Sequence, residues 1–303
     1  MMQPLVSICC LTYNHAPFIR KCLDGFLMQE TSFPVEILIH DDASTDGTVD
    51  IIKEYTEKYP DRIFPLFEEE NQYSKPHHKH LDLYNYERAR GKYIAYCEGD
   101  DYWTDPFKLQ KQVDFLEANP EYSVCWHRRS FVNEEDEIIS DDLANEGFLP
   151  TVEGINVSLE TYLTSHFVQP LTMVFRYSAL DFDNIRKFKY FSDTQEIFFL
   201  LKQGVGYVLN FNGGCYRIHS GGVFSHLSRL EYSYYALPRV REFYWKTQES
   251  VPKKLYVETL ETSFQVFRST NKWKAFICAV EYAIVSGHPK SLIRHLRSFL
   301  GYS

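Results

Sequence analysis

The 303-residue sequence lacks an excess of positive charge, paired cysteines and a long hydrophobic run. Its formal net charge of -9 argues against the basic surface that sequence-independent nucleic-acid binding requires, so no nucleic-acid partner is expected. The seven cysteines are scattered without a CxxC pair, which favours buried thiols in a reducing compartment. The apolar stretch at 275–286 is too short to span a bilayer, and no basic leader precedes residue 4. We predict a cytoplasmic protein, either free or peripheral on the inner membrane face.

What the sequence does contain is an alternation of strand and helix signals over its first 120 residues. Four continuous apolar runs are typical of strands covered on both faces, namely 5–11, 35–39, 63–67 and 93–97. Between them, Asn14, Asp46 and Asp105 each precede an amphipathic stretch that they can cap as a helix. The pattern predicts a Rossmann-like α/β fold, a mostly parallel sheet flanked by helices. Further along, we expect strands at 122–126 and 171–175, an acidic loop at 130–153 and a helix at 194–202.

The last quarter is basic and helical. From Arg229 onward there are 12 Lys and Arg against 6 Asp and Glu, and apolar residues keep helical spacing up to Gly287, which can terminate a helix. A second helical face follows, made of Leu292, Ile293, Leu296, Phe299 and Leu300. Two interpretations stay open for these C-terminal helices: peripheral membrane contact, or docking on the protein itself or on a second subunit.

Polar side chains follow three of the predicted strands where each strand ends. The segments are Thr12-Tyr13-Asn14, His40-Asp41-Asp42-Ala43-Ser44 and Glu98-Gly99-Asp100-Asp101. Ligands of open α/β sheets bind beyond the carboxyl ends of the strands, so these segments are candidates for one site. Crowded carboxylates raise one another's pKa unless a cation or a set of donors compensates. The pattern suits a divalent metal that bridges phosphates and a ligand with hydroxyl and amide donors.

Five motifs in order make the pattern specific. LTYN near residue 11, IHDDASTDGT from Ile39, YIAYCEGDDYWTDP from Tyr93, FSDTQE from Phe191 and YRIHSGG from Tyr216 resemble the family 2 glycosyltransferases. That family consists of inverting enzymes with the nucleotide-sugar-binding GT-A fold. The resemblance implies a GT-A domain at about 1–228, with a nucleotide-sugar half up to about residue 120 and an acceptor half after it. The region 229–303 is then a helical appendage outside the resemblance.

The resemblance also implies roles for individual residues. Thr12 and Tyr13 would pack against the nucleotide base and Asp42 would accept a hydrogen bond from it. The nucleotide-sugar-binding set is Thr12, Tyr13, Asn14, Asp42, Glu98, Asp100 and Arg217. Glu98 stands where the family usually has Asp at the first position of its DxD motif. Asp100 and His219 would hold Mg²⁺ or Mn²⁺, Asp193 would be the catalytic base, and Asp101, Tyr102 and Trp103 would support the site or contact the acceptor.

The chemistry accounts for these residue types. Displacing a nucleoside diphosphate from an anomeric carbon requires stabilisation of the leaving group's negative charge, which a metal with Arg217 and His219 can supply. A separate carboxylate takes the acceptor's proton, and one displacement inverts the configuration. By analogy with the family, UDP is the expected carrier and a saccharide or lipid-linked molecule the acceptor, in bacterial surface polysaccharide assembly.

Plainer interpretations stand beside these. Asp41 and Asp42 can hold a turn, Asp105 is assigned to a helix cap, and Asp193 alone would pass as a cap. Tyr102 and Trp103 can pack in the core. The histidines His77, His78 and His80 lie in a polar, proline-broken segment that favours a solvated loop over a metal cluster.

Two rival functions also remain. A sugar-1-phosphate nucleotidyltransferase would show a basic, glycine-rich phosphate loop after the first strand, and LTYNHAPF offers none. A non-catalytic nucleotide-sugar-binding protein of the same fold would have no need to keep Asp100, Asp193 and His219 together. Enzymatic assay of an Asp193 variant distinguishes this second rival from an active transferase.

Overall fold

A computed structural model describes residues 3–75, 80–141, 153–164, 168–222, 227–288 and 290. The chain forms two compact units. Unit 1 comprises Met1–Lys187 and Ser192–His219, and unit 2 comprises Phe188–Phe191 and Ser220–Ser303. Unit 1 contains the sheet, and the long C-terminal helices belong to unit 2. The functional domains expected from the sequence, 1–228 and 229–303, stay a prediction.

The described residues contain ten strands and nine α-helices. The strands are β1 Val6–Thr12, β2 Val35–Asp41, β3 Ile63–Phe67, β4 Tyr93–Glu98, β5 Tyr102–Trp103, β6 Tyr122–Val132, β7 Ile138–Asp141, β8 Gly154–Val157, β9 Val174–Arg176 and β10 Val205–Arg217. The helices are α1 Ile19–Leu27, α2 Thr48–Lys58, α3 Leu81–Tyr86, α4 Lys108–Ala118, α5 Phe182–Lys187, α6 Asp193–Gln203, α7 Arg229–Thr247, α8 Ser250–Thr270 and α9 Lys272–Ser286.

All ten strands belong to one sheet. Its main order is β3-β2-β1-β4-β9-β6-β10-β5, with β7 paired to β6 and β8 paired to β10. The first four strands in that order run parallel, as the alternating strand and helix signals predicted. Antiparallel β9 then joins β4 to β6, and β6 and β10 form a further parallel pair. The predicted α/β fold is confirmed, with a sheet that becomes mixed beyond β4.

The core explains why these runs form strands and helices. Consecutive residues Ile8, Cys9 and Cys10 of β1 are fully buried, so both faces of the strand are covered. The predicted stripe of α1 is buried as well, including Cys22 and Phe26, and it packs in the same cluster as the central strands. All seven cysteines are buried free thiols.

Two segments differ from the sequence expectation. The predicted acidic loop at 130–153 begins as strand, because β6 continues to Val132 and β7 pairs back on it through Ser130 and Asp141. The predicted strand at 171–175 is a 3-10 turn at Pro170–Thr172 followed by the short β9. Both differences arise from partners distant in sequence, since β6 is extended alongside β10.

Unit 2 has its own core. The helices α7, α8 and α9 bury a cluster that includes Tyr256, Phe264 and Cys278. Arg241 pairs with Glu281 at 2.8 Å across this bundle. The end of α9 is as predicted, at Gly287 with a φ of 75°. The face formed by Leu292 to Leu300 lies outside the described residues.

No helix in the described part of the chain combines the length and hydrophobicity needed to cross a bilayer.

Candidate active site

The carboxyl ends of β1, β2 and β4 meet at one edge of the sheet. Their parallel register places Thr12 beside Asp41 and Leu11 beside Glu98. The three polar segments that follow these strands therefore lie together, as their positions in the sequence predicted. Their side chains form the centre of the candidate active site.

Asn14 clamps the loop after β1 to the loop after β2. Its φ of 55° is left-handed, a conformation that asparagine tolerates better than most residues. Its Oδ1 accepts a hydrogen bond from the Thr45 N–H at 2.8 Å, and its own N–H donates to Ser44 Oγ at 2.8 Å. The expectation that Asn14 caps α1 is wrong, because that helix begins at Ile19. Its contact with a nucleotide sugar stays a prediction.

The two aspartates after β2 hold different parts of the backbone. Asp41 accepts from the N–H of Ser44 at 2.9 Å and from its hydroxyl at 2.5 Å, which is the turn-forming role considered from the sequence. Asp42 is 1% exposed and accepts from the N–H groups of Gln72 at 2.6 Å and Tyr73 at 3.0 Å. The predicted contact between Asp42 and a nucleotide base stays a prediction, and it would use the lone pairs that remain.

Gly99 lets the acidic loop after β4 approach the loop after β1. A Cβ at this position would lie 2.6 Å from Thr12 Oγ1 and 3.0 Å from His15 Nδ1. A larger residue would push the loops apart. Thr12 is buried and its Oγ1 has no hydrogen-bond partner, whereas Tyr13 is 44% exposed. Their packing against a base stays a prediction.

Glu98, Asp100 and Asp101 converge in the acidic loop. One carboxylate oxygen from each lies within 4.8 Å of the other two. Asp101 is 2% exposed, and its Oδ1 accepts from the Arg217 N–H at 2.8 Å. Asp100 Oδ1 and Asp101 Oδ2 are buried without a hydrogen-bond partner. Three carboxylates so close, with unpartnered oxygens, call for a cation.

Two imidazoles flank the same aspartate. His219 Nε2 lies 3.0 Å from Asp100 Oδ2, and His15 Nε2 lies 3.7 Å from it. The ring of Phe18 packs edge-on against His219, with 4.9 Å between ring centroids. His15, Asp100 and His219 thus form a second group of potential metal ligands that shares Asp100 with the first.

The pKa values of these groups diverge. Burial raises the pKa of Glu98 and of Asp101 well above that of a free carboxyl, and the neighbouring Asp100 raises both further. Burial acts the same way on Asp100, but the hydrogen bond from His219 and the electrostatic effect of the two nearby imidazole rings outweigh it and lower its pKa. Burial lowers the pKa of His15. Asp100 is therefore the carboxylate most readily ionised, and neutral His15 has a lone pair for a metal.

These residues fit a divalent metal. The set offers carboxylate and imidazole ligand atoms, and Asp100 Oδ1 is a buried acceptor without a partner. Asp100 and His219, the two ligands expected from the sequence, lie together in the group that also contains His15. Which of them bind metal stays a prediction.

Arg217 is committed to the protein. Its guanidinium is almost fully buried and donates to the carbonyl oxygens of Asp100, Asn133 and Glu134 and to Asp136 Oδ1, at 2.6 to 3.2 Å. It therefore ties the end of β10 to the acidic loop. The phosphate contact expected from the sequence stays a prediction, and the structure favours a positioning role for this side chain.

Tyr102 and Trp103 are buried beneath the acidic loop. Trp103 is 2% exposed, and its Nε1 donates to the carbonyl of Leu171 at 2.9 Å. Of the two interpretations left open for this pair, core packing fits their burial. The expectation that Asp105 caps α4 is wrong, because the cap of that helix is Phe107; Asp105 holds the preceding turn, where its Oδ1 accepts from the Phe107 N–H at 2.8 Å.

Asp193 is the first residue of α6. The cap of this helix is Ser192, whose N–H and hydroxyl both donate to Gln195 Oε1, so Asp193 is not the cap. Asp193 is exposed at the residue level, but protein atoms crowd its carboxylate and this desolvation raises its pKa. It lies close enough to Glu98 to raise that residue's pKa too. Its role as the base stays a prediction.

Three further residues were missed from the sequence. His15 follows Asn14 at the end of β1, and this position was the available signal. Burial raises the pKa of the carboxyls of Asp82 on α3 and Glu196 on α6, and the neighbouring Asp193 raises both further. Asp82 Oδ1 and Glu196 Oε1 are buried without a hydrogen-bond partner. For Glu196, its place three residues after Asp193 on one helix was a signal.

The histidine segment is described only at His80, since His77 and His78 lie outside the described residues. His80 is buried directly before α3, which differs from the solvated loop predicted for it. It belongs to neither group of potential ligands found among the described residues.

Comparison with known proteins identifies the family. Residues 7–182, more than half of the chain, match the model of "Glycosyl transferase family 2". The putative teichuronic acid biosynthesis glycosyltransferase TuaG of Bacillus subtilis is 40% identical over 116 residues, which is 38% of this chain and 42% of TuaG. The chain spans less than half the length of the first curated relatives it matches.

Solved structures share the fold at low sequence identity. The S. aureus TarS 1-349 structure in complex with UDP-GlcNAc superposes with a TM-score of 0.62 at 16% identity, covering 92% of this chain and 81% of that one. The mannosyltransferase PcManGT from Pyrobaculum calidifontis, in complex with GDP-Man and Mn²⁺, gives 0.53 at 16% identity, covering 99% and 81%. The ten-stranded sheet is thus the GT-A fold, and the chain belongs to glycosyl transferase family 2.

Proposed function

We propose that the protein is a metal-dependent inverting glycosyltransferase. It transfers a sugar from a nucleoside-diphosphate sugar, with UDP as the favoured carrier, to a hydroxyl group of a saccharide or lipid-linked acceptor. The observation that supports this proposal is an acidic loop with a separate acid near it. The acidic loop Glu98–Asp101 begins at the end of β4, and Asp193 on α6 is near enough to Glu98 to raise the pKa of that carboxyl.

The acidic loop serves the leaving group. Asp100, with His219, would hold Mg²⁺ or Mn²⁺, and a bound ion there stabilises the negative charge of the departing diphosphate. Arg217 keeps the loop in place through its bond to the Asp100 carbonyl at 2.9 Å. Tyr13, exposed beside the loop, offers a ring against which a nucleotide base can stack.

Asp193 serves the acceptor. Its carboxylate takes the proton of the attacking hydroxyl while the oxygen bonds to the anomeric carbon and the bond from that carbon to the diphosphate breaks. The raised pKa brings this carboxylate closer to the basicity that proton transfer near neutral pH requires. A single displacement of this kind inverts the anomeric configuration.

The setting is an extension of the same proposal. The likeness to TuaG, whose name refers to teichuronic acid biosynthesis, supports a role in bacterial surface polysaccharide assembly. Cytoplasmic location stays a prediction, as does membrane contact or self-association through the C-terminal helices. On α9 the side chains of Trp273 and Ile284 are 69% and 65% exposed.

Hydrolysis and transfer assays with a panel of nucleotide sugars test the proposal. Wild type with Mn²⁺ is expected to release nucleoside diphosphate, and chelation by EDTA is expected to stop it. Asp193→Asn should bind the donor as wild type does, and its kcat should fall by a factor of about 10² to 10⁴, the range typical of a general base. Asp50→Asn, an exposed change on α2, is the matched control.

Two outcomes would contradict the proposal. Donor binding without turnover in wild type, across the whole panel, would favour the non-catalytic binding protein. Formation of a nucleotide sugar from a nucleoside triphosphate and a sugar phosphate would favour the nucleotidyltransferase. Nuclear magnetic resonance of the product's anomeric proton checks inversion separately.

A further inference from the structure

His15 faces the same carboxylate oxygen as His219. The Nε2 atoms of the two histidines lie 3.7 and 3.0 Å from Asp100 Oδ2, and their ring centroids are 6.1 Å apart with the planes nearly perpendicular. One ligand atom from each of the three residues lies within 4.8 Å of the other two. Neighbouring ligand atoms about 2.1 Å from one ion lie about 3.0 to 3.5 Å apart, so the separations of 3.0 and 3.7 Å from Asp100 Oδ2 are close to those of a coordination shell.

The surroundings of His15 hold the ring near this point. Its Nδ1 is buried and sits against Gly99, where no Cβ intervenes. The N–H of the next residue, Ala16, donates to Asp46 Oδ2 at 2.9 Å, which fixes the backbone. His219 is fixed independently by the edge of Phe18. His15 follows the end of β1, and His219 follows the end of β10.

The oxygen-only group Glu98–Asp100–Asp101 is the competing ligand set. Asp101 already accepts a backbone hydrogen bond with Oδ1 and is almost fully buried. In the other group, the two histidines join Asp100 as nitrogen ligands that carry no negative charge.

We propose that His15 is a third protein ligand of the divalent metal, and that His15, Asp100 and His219 together select a first-row transition metal over magnesium. Two imidazoles with one carboxylate suit ions such as Mn²⁺ and Co²⁺, whereas Mg²⁺ prefers oxygen ligands and retains its waters. The set leaves the remaining positions open for a donor diphosphate. The inference rests on the proposed function for its purpose, since this ion is the one that would face the leaving group.

Metal titrations of the untagged protein, with and without UDP, test the inference. Wild type is expected to bind Mn²⁺ and Co²⁺ at least about tenfold more tightly than Mg²⁺. His15→Gln should weaken Co²⁺ and Mn²⁺ by about tenfold or more and Mg²⁺ by less than about threefold. His288→Gln, an exposed histidine of unit 2, is the control and should leave all three affinities unchanged.

Pulsed electron paramagnetic resonance of bound Mn²⁺ gives a readout that is independent of activity. Wild type should show hyperfine coupling to two imidazole nitrogens, and His15→Gln should show coupling to one. Equal metal affinities in wild type and His15→Gln would overturn the inference. So would a wild-type spectrum with a single nitrogen, which decides the question even if the variant fails to fold.

The two proposals fail separately. Two nitrogens around Mn²⁺ in a protein that neither binds UDP nor turns over any donor would leave the metal set standing and remove the proposed function. Turnover of a donor with one coupled nitrogen would do the reverse.

Discussion

Burial governs the carboxyl groups around the candidate active site. Asp82 shows this most clearly, because its pKa is raised from 3.8 to about 6, mainly by burial. Asp193 adds to the rise, and a hydrogen bond from Tyr96 opposes it. The Oδ1 atom of Asp82 has no hydrogen-bond partner. These surroundings disfavour the ionised form, so the acid keeps its proton to a higher pH than a free carboxyl does.

The first prediction concerns the pH dependence of stability. Since the folded pKa of Asp82 lies above the unfolded value, its contribution is fully present below pH 3.8 and is lost as the pH rises through about 6. Asp82→Asn removes this loss, so its free energy of unfolding should gain on wild type by up to about 3 kcal/mol between pH 4 and 7. Urea denaturation across that range measures the difference.

Asp50→Asn is the control for the loss of one charge, since Asp50 is exposed on α2. Its unfolding free energy should parallel that of wild type across the same pH range. A constant difference between Asp82→Asn and wild type from pH 4 to 7 would show that Asp82 does not titrate as its surroundings indicate.

At the scale of residues, the sequence predicted which site residues are neighbours when they lie at or after the ends of adjacent strands. Thr12, Asp41 and Glu98 were predictable as neighbours because parallel strands share an edge. His15 and Glu196 each had a positional signal, but nothing in their local sequence shows which side chains from other elements lie opposite them. Proximity to Asp100 or to Asp82 exists only in the folded chain.

At the scale of elements, β10 ends at Arg217, and His219 follows two residues later. The guanidinium of Arg217 bonds three carbonyl oxygens and Asp136, and its backbone N–H bonds Asp101. The ion pair with Asp136 has one partner 2% exposed and the other 36%. The end of β10 and the acidic loop after β4 are thus one hydrogen-bonded assembly.

The second prediction follows from this assembly. Arg217→Lys keeps the charge but loses the planar fork, leaving buried carbonyl oxygens without donors. The unfolding free energy should fall by about 2 to 4 kcal/mol, and Mn²⁺ affinity should weaken because Asp100 loses its support. Chemical denaturation and metal titration measure the two effects.

Arg20→Lys is the matched control. Arg20 pairs with Glu54 at 2.6 Å, but the two side chains are 50% and 58% exposed. This exposed change should cost less than about 1 kcal/mol. Equal losses in the two variants would mean that Arg217 contributes only an ordinary surface ion pair.

Helices and strands with a local sequence pattern were predictable, whereas those that depend on distant pairing were not. The runs of β1 to β4 and the stripe of α1 are local, so they were predictable. The extension of β6 to Val132 depends on pairing with β10, more than 70 residues later, and no local window contains both. Antiparallel β9 is three residues long and was displaced from its expected position for the same reason.

At the scale of the whole molecule, two compact units divide the sequence features. The carboxylates and histidines of the candidate site belong to unit 1, and the basic excess after Arg229 belongs to unit 2. Unit 2 has a core and an internal ion pair of its own. A ligand of the candidate site should therefore act first on the stability of unit 1.

The third prediction is a metal-linked thermal shift of unit 1. A ligand that binds only the folded state stabilises it by about 2.7 kcal/mol at 100 times its Kd. For a chain of this size, UDP with Mn²⁺ should raise Tm by about 4 to 8 °C, and UDP with EDTA should raise it by far less. The buried Trp103 and Trp126 of unit 1 report the transition by fluorescence.

Asp100→Asn should abolish the metal-dependent part of the thermal shift, because it removes the carboxylate shared by both ligand groups. An equal shift with EDTA and with Mn²⁺ would place the nucleotide away from the acidic loop.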